Sequence, residues 1–72
     1  MPLVQISMMP GRTSEQKKGL IREVTDAVVK NCGVKADAVR VLIQEIAPEH
    51  WAVGGTTMAE RAATASEASA RR

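Results

Sequence analysis

The segment Val39-Arg40-Val41-Leu42-Ile43-Gln44-Glu45-Ile46 settles the topology of this chain. It is short, apolar and rich in β-branched residues, the composition of a strand. Side chains alternate across a strand, so Val39, Val41 and Ile43 share one face while Arg40, Leu42, Gln44 and Ile46 share the other. Pro48 breaks the pattern. Upstream, Leu20, Ile21, Val24, Ala27 and Val28 recur at helical spacing and mark one apolar face. Lys17, Lys18, Arg22, Glu23 and Asp26 fall largely outside it, and Arg22 can pair with Asp26 one turn on. Thr13 and Gln16 have capping-box spacing, and Glu15 suits the positive end of the helix dipole. Asn31 and Gly33 suit the helix end. Val34 to Ala38 is a short connection. Further upstream, Leu3 to Met9 is a first strand, with Val4, Ile6 and Met8 on one face and Pro10-Gly11 as its stop.

The order is therefore strand, helix, strand. Two strands joined by a helix run parallel with a right-handed crossover. The predicted fold class is α/β, built on one β-α-β unit. Downstream, His50-Trp51-Ala52-Val53-Gly54-Gly55 reads as a loop or small hairpin whose glycines allow positive φ. Ala59 to Arg72 is Ala-rich with no large apolar residue, so it reads as a weak helix or frayed tail, docked on a neighbour if at all.

Size sharpens the picture. A chain of 72 residues makes one small domain, and such a domain buries only about 60% of its unfolded surface. It usually needs a disulfide, a metal or a partner. One cysteine, Cys32, rules out an intrachain disulfide, and Cys32 with His50 makes a poor metal site. A lone two-stranded sheet cannot cover its own faces or edges. Oligomerisation is the remaining remedy, and 44% hydrophobic residues give it material.

Ten Lys and Arg against eight Asp and Glu are scattered, and there is a single aromatic residue, so nucleic-acid binding is not expected. No apolar run approaches the roughly 20 residues of a membrane span, and no signal-peptide pattern opens the chain. A cytoplasmic location is expected, and one unpaired Cys fits a reducing compartment.

Candidate chemistry begins at Pro2. Proline directly after Met1 allows aminopeptidase removal of Met1, which leaves a secondary amine. Burial and nearby guanidinium groups would lower the basicity of that amine toward neutral pH. Many unrelated chains also begin Met-Pro. Arg12 follows a turn, where arginine is ordinarily solvated. Arg40 is sharper, since it interrupts an apolar strand and burial without an anion is costly. Its partner is equally a ligand or a structural carboxylate, Glu45 or Glu49. Trp51 is a core or interface plug, or a wall of a pocket. Cys32 reads as a small buried hydrophobe. There is no phosphate loop, serine triad or metal spacing, and no cofactor is called for.

Taken in order, Pro2-Leu3-Val4-Gln5-Ile6, Gly11-Arg12, Glu15-Gln16-Lys17, Leu20-Ile21-Arg22-Glu23-Val24, Val39-Arg40-Val41 and Val53-Gly54-Gly55 resemble the 4-oxalocrotonate tautomerase family. The resemblance implies a β-α-β unit with a C-terminal hairpin, assembled as a homo-oligomer, commonly a hexamer. It implies a tautomerase domain over residues 2–60, with 61–72 as an Ala-rich tail. It further implies that Pro2 is the catalytic base, that Arg12 and Arg40 bind a small-molecule carboxylate substrate, and that Trp51 stands where the family commonly has Phe. The implied reaction is proton movement on a 2-hydroxydienoate or enol/keto carboxylate, as in aromatic-hydrocarbon catabolism. Two alternatives remain open at this level. The superfamily also includes hydrolytic dehalogenases of haloacrylates, for which Glu45 or Glu49 would activate water. If Met1 persists, the Pro2 nitrogen is an amide and the chain is a non-catalytic oligomeric module.

Overall fold

A computed structural model of the chain describes residues 1–63. β1 (Leu3–Met8), α1 (Ser14–Cys32), a 3-10 turn (Ala36–Ala38) and β2 (Arg40–Glu45) follow in order. A second 3-10 turn (Pro48–His50) leads into a hairpin of β3 (Ala52–Val53) and β4 (Thr56–Thr57). Residues 58–63 are helical. The tail expected over 61–72 lies outside the described residues from position 64 onward. No helix of the described residues is long and apolar enough to cross a membrane.

β1 and β2 are parallel neighbours, with Leu3 opposite Arg40 and Met8 opposite Glu45. Both ends of this ladder extend beyond the strands themselves. The Arg40 N–H donates to the Pro2 carbonyl at 2.9 Å, and the Ile46 N–H donates to the Met8 carbonyl at 2.8 Å. The alternation expected from sequence is present. Val4, Ile6, Met8, Val41 and Ile43 are half-buried, while Leu3, Gln5, Ser7, Arg40, Leu42 and Gln44 lie on the exposed face.

α1 starts where the capping box predicts. The Thr13 hydroxyl accepts from the Gln16 N–H at 3.1 Å, and the Gln16 side chain accepts from the Thr13 N–H at 2.9 Å. Two of the otherwise orphaned donors at the helix start are thereby satisfied. The helix ends at Gly33, whose φ of 67° is open to glycine at little steric cost. Its N–H returns to the Val29 carbonyl at 3.0 Å. The covered stripe runs through Lys17, Leu20, Val24 and Val28, with Thr25 and Val29 beside it. Ile21 and Ala27, expected on this face, are exposed in the protomer. A two-stranded sheet is too narrow to cover a full helical face, so the outer edge of the stripe stays open. Cys32 is also exposed rather than buried; α1 has 19 residues, about 28 Å at helical rise, and is longer than the six-residue strands it covers. The ion pairs of α1 are Lys17–Glu45 at 3.3 Å and Lys18–Glu15 at 3.7 Å. Arg22 and Asp26 are exposed and do not pair with each other, as charges one turn apart at a surface often do not.

The hairpin reverses at Gly54-Gly55, both at positive φ as a two-residue hairpin turn requires. It is anchored by the Met58 N–H, which donates to the Trp51 carbonyl at 2.7 Å. A second capping box opens the following helical residues, with Thr57 and Glu60 exchanging bonds of 2.9 and 3.1 Å.

The described residues form almost no core of their own. Among the described residues, Val39, at 8% exposure, is the buried hydrophobic one. Leu3 and Leu42 keep 55% and 52% of their surface open on the uncovered side of the sheet. One amphipathic helix covers one face of two strands, and none of the described residues covers the other.

Candidate active site

Pro2 stands immediately before β1, half-buried, with its carbonyl bonded to the Arg40 N–H. Met1 projects into solvent at 84% exposure. Its removal therefore takes away no packed side chain, and the hydrogen bond through the Pro2 carbonyl is independent of it. The parallel register places Leu3 opposite Arg40, so Pro2 and Arg40 are neighbours at the same end of the sheet.

Among the described residues, the guanidinium of Arg40 meets no carboxylate. Its Nη1 donates to the Asp37 carbonyl at 2.6 Å and to the Val39 carbonyl at 3.5 Å. Neither Glu45 nor Glu49 pairs with it. Glu45 accepts from Lys17 Nζ at 3.3 Å, and Glu49 is exposed on the second 3-10 turn. Arg40 therefore keeps its full positive charge at the surface, held by neutral acceptors.

Arg12 lies elsewhere. It follows Pro10-Gly11 beyond the far end of β1 and is exposed. β1 has six residues, so at strand rise the two ends are separated by roughly 17 Å. The segment that carries Trp51 departs from the far end as well, through the Ile46–Met8 bond. Trp51 is half-buried. Among the described residues, no hydrogen bond or ion pair joins Arg12 or Trp51 to Pro2 or Arg40. The candidate residues of one protomer thus fall at two ends of the sheet. Pro2 and Arg40 sit at one end, and Arg12 sits at the other.

Between the ends, the open sheet face carries a shallow depression lined by Gln5, Ser7, Leu42 and Gln44, with Ile6 and Ile43 beneath. The polar members were not singled out from sequence, although Gln5 and Ser7 interrupting an apolar strand were a signal. The bond from Arg40 to Asp37 was also missed. It depends on a main-chain carbonyl, and no side-chain pattern encodes that.

Residues 2–61 match the model of the tautomerase enzyme family. A probable tautomerase of Bradyrhizobium diazoefficiens is 52% identical over 65 residues, spanning 90% of this chain and 97% of the relative. Among solved structures, one of the 4-oxalocrotonate tautomerase isozymes of Methylibium petroleiphilum superposes with a TM-score of 0.85 at 43% identity, covering 88% of this chain and 98% of that one. A heterohexameric 4-oxalocrotonate tautomerase of Chloroflexus aurantiacus gives a TM-score of 0.79 at 45% identity, covering 83% and 97%.

Proposed function

This chain belongs to the tautomerase family, as an isomerase-like member related to 4-oxalocrotonate tautomerase, and from that premise we propose that the free amine of Pro2 is its acid-base group. The substrate in this reading is a 2-hydroxydienoate or a similar enol/keto carboxylate. The amine takes the proton of the 2-hydroxyl, and the charge of the resulting dienolate gathers on the 2-oxo oxygen. The ammonium then returns the same proton to a carbon of the conjugated chain. Atoms and electrons balance within the substrate, so the step needs no co-reactant. A base that gives back what it takes must titrate near working pH, and an amine beside a guanidinium is suited to that.

The observation that carries this reading is the bond from the Arg40 N–H to the Pro2 carbonyl. It holds Pro2 beside the backbone of Arg40, whose guanidinium has no carboxylate partner among the described residues. Arg40 is then available to grip a substrate carboxylate through paired N–H donors. Arg12 grips the other end of the substrate, and Trp51 supplies an apolar wall that excludes water and strengthens both contacts.

These roles require more than one protomer. Arg12 is too far from Pro2 along β1 to share a small substrate with it. A second copy running antiparallel would place its own Arg12 end beside the Pro2 end of the first, as two-fold symmetry allows. The homo-oligomer inferred from the missing core thus also completes the site. A hexamer is the form we favour, and the Chloroflexus relative is a heterohexamer. The Lys17–Glu45 pair speaks against Glu45 as the water-activating carboxylate of a dehalogenase, since such a group would be free of a cationic partner, and leaves Glu49 for the chloride assay to test.

The test is a paired assay of the purified protein. A 2-hydroxydienoate with a carboxylate at each end should be isomerised, and 3-chloroacrylate should release no chloride above background. Chloride release without dienoate turnover would overturn the assignment.

A further inference from the structure

The 3-10 turn before β2 has an unusual hydrogen-bond account. The Ala38 N–H donates to the Lys35 carbonyl and the Val39 N–H to the Ala36 carbonyl, both at 3.0 Å. The next donor in that series is the Arg40 N–H, which would fall to the Asp37 carbonyl. It is taken instead by the Pro2 carbonyl, since the sheet begins there. The Asp37 carbonyl loses its main-chain donor, and Nη1 of Arg40 fills the vacancy at 2.6 Å. A single residue therefore ties two features together. Its backbone fixes Pro2, and its side chain is folded back onto the turn.

We propose that this turn is the positioning element of Arg40, its Asp37 carbonyl holding Nη1 so that the Nε–Nη2 edge of the guanidinium faces the substrate carboxylate. The inference rests on the reading of Arg40 as a carboxylate ligand. Nη1 donates to the Asp37 carbonyl at 2.6 Å, with the Val39 carbonyl at the long distance of 3.5 Å. The three donors on Nε and Nη2 have no partner among the described residues. Those two nitrogens present parallel N–H bonds at the spacing of a carboxylate's oxygens. The end-on edge formed by Nη1 and Nη2 has one of its nitrogens already engaged by the tether. The acceptor's neutrality matters as much as its position. A carboxylate in its place would cancel the charge that the substrate needs, whereas a carbonyl orients the cation and leaves the charge intact. Rotamer freedom that a loose arginine would lose on binding is already lost here.

Ala38→Pro tests the turn directly. It removes the donor that closes the turn, and proline at 38 drives Asp37 away from helical backbone angles, so the Asp37 carbonyl swings off Nη1. The readout is steady-state turnover of the doubly carboxylated 2-hydroxydienoate by the assembled protein. KM should rise roughly tenfold, the size expected when a charge-assisted contact is misdirected. The change in kcat should stay within about threefold. In an Arg40→Ala background the same substitution should add nothing to KM, since there is no guanidinium left to position. A KM equal to the parent's, or a rise of the same size with and without Arg40, overturns the proposal. Should Ala38→Pro fail to assemble, Asp37→Gly loosens the same turn. Its KM should rise about two- to threefold, again only when Arg40 is present; an unchanged KM overturns the proposal equally. Parent-like kinetics for Arg40→Ala would instead refute the binding role of Arg40 on which the inference rests. A damaged Arg40→Ala beside an unaffected Ala38→Pro refutes the turn's role alone.

Discussion

Substituting Leu42 by glutamate puts a charge at the centre of the open sheet face. Leu42 is 52% exposed in the protomer, and Leu3 on the same face is 55% exposed. Complete burial of a leucine side chain contributes about 1.5–3 kcal/mol, so the half still open at Leu42 leaves ~1 kcal/mol per protomer to be gained on assembly. A glutamate forfeits that gain. It also brings a carboxylate whose effective desolvation costs several kcal/mol in a buried interface. At ~4 kcal/mol per protomer, a two-fold contact loses on the order of 8 kcal/mol, close to six decades in dissociation constant. Sedimentation velocity at micromolar concentration should show the parent as one oligomer and Leu42→Glu as protomers or unfolded chain. The protomer's own core amounts to little more than Val39, so the thermal transition should become strongly concentration-dependent. An assembled Leu42→Glu with the parent's sedimentation coefficient would show that this face is not what the assembly covers.

Three further outcomes are expected. Arg12→Ala and Arg40→Ala should each retain the assembly and lower kcat/KM for a dicarboxylate dienoate by one to two decades, the loss of about 1.5–3 kcal/mol from a charge-assisted pair; near-normal kinetics in both would remove the arginines from the site. Co-refolding Pro2→Ala with Arg12→Ala should restore about a quarter of parental activity, because random pairing rebuilds that share of composite sites; no recovery would place both residues in the same protomer's site. Thr13→Ala should lower stability by about 1 kcal/mol per protomer through loss of the helix cap, measured by denaturant unfolding, with kcat unchanged.

The fold was legible because its signals are local. The Thr13–Gln16 capping box, Gly33 at the helix end and the alternation of β1 and β2 each concern residues close in sequence, and each appears as read. The connection from Val34 to Ala38 was seen as a linker, but its 3-10 turn and its hold on Arg40 were not. That hold arises from competition between the sheet and the turn for one N–H, which becomes visible only in three dimensions. Ile21, Ala27 and Cys32 were placed in the interior on pattern alone. They are open because a pattern marks which residues are fit for burial without showing whether the protomer itself supplies the cover. Glu45 reads from sequence as a partner for Arg40, yet the two stand at opposite ends of β2, roughly 17 Å apart at strand rise, and Lys17 takes up Glu45. The site residues could be named from their types and order. Their separation into two ends of a protomer follows from strand length and direction, which only the folded register fixes.

The central claim is that the nitrogen of Pro2 is the base, and its most direct test compares two preparations that differ at that atom. One is the chain with Met1 removed, verified by intact mass. The other retains Met1, prepared in a host lacking methionine aminopeptidase activity, so that the Pro2 nitrogen is an amide without a basic lone pair. Met1 is 84% exposed, and the Pro2 carbonyl keeps its bond to Arg40 in either case, so secondary structure and oligomeric state should match. With the doubly carboxylated 2-hydroxydienoate, kcat/KM of the processed chain should show an ionisation near neutral pH, and the Met1-retaining chain should show only background turnover without that ionisation. Equal turnover by the two preparations would contradict the account.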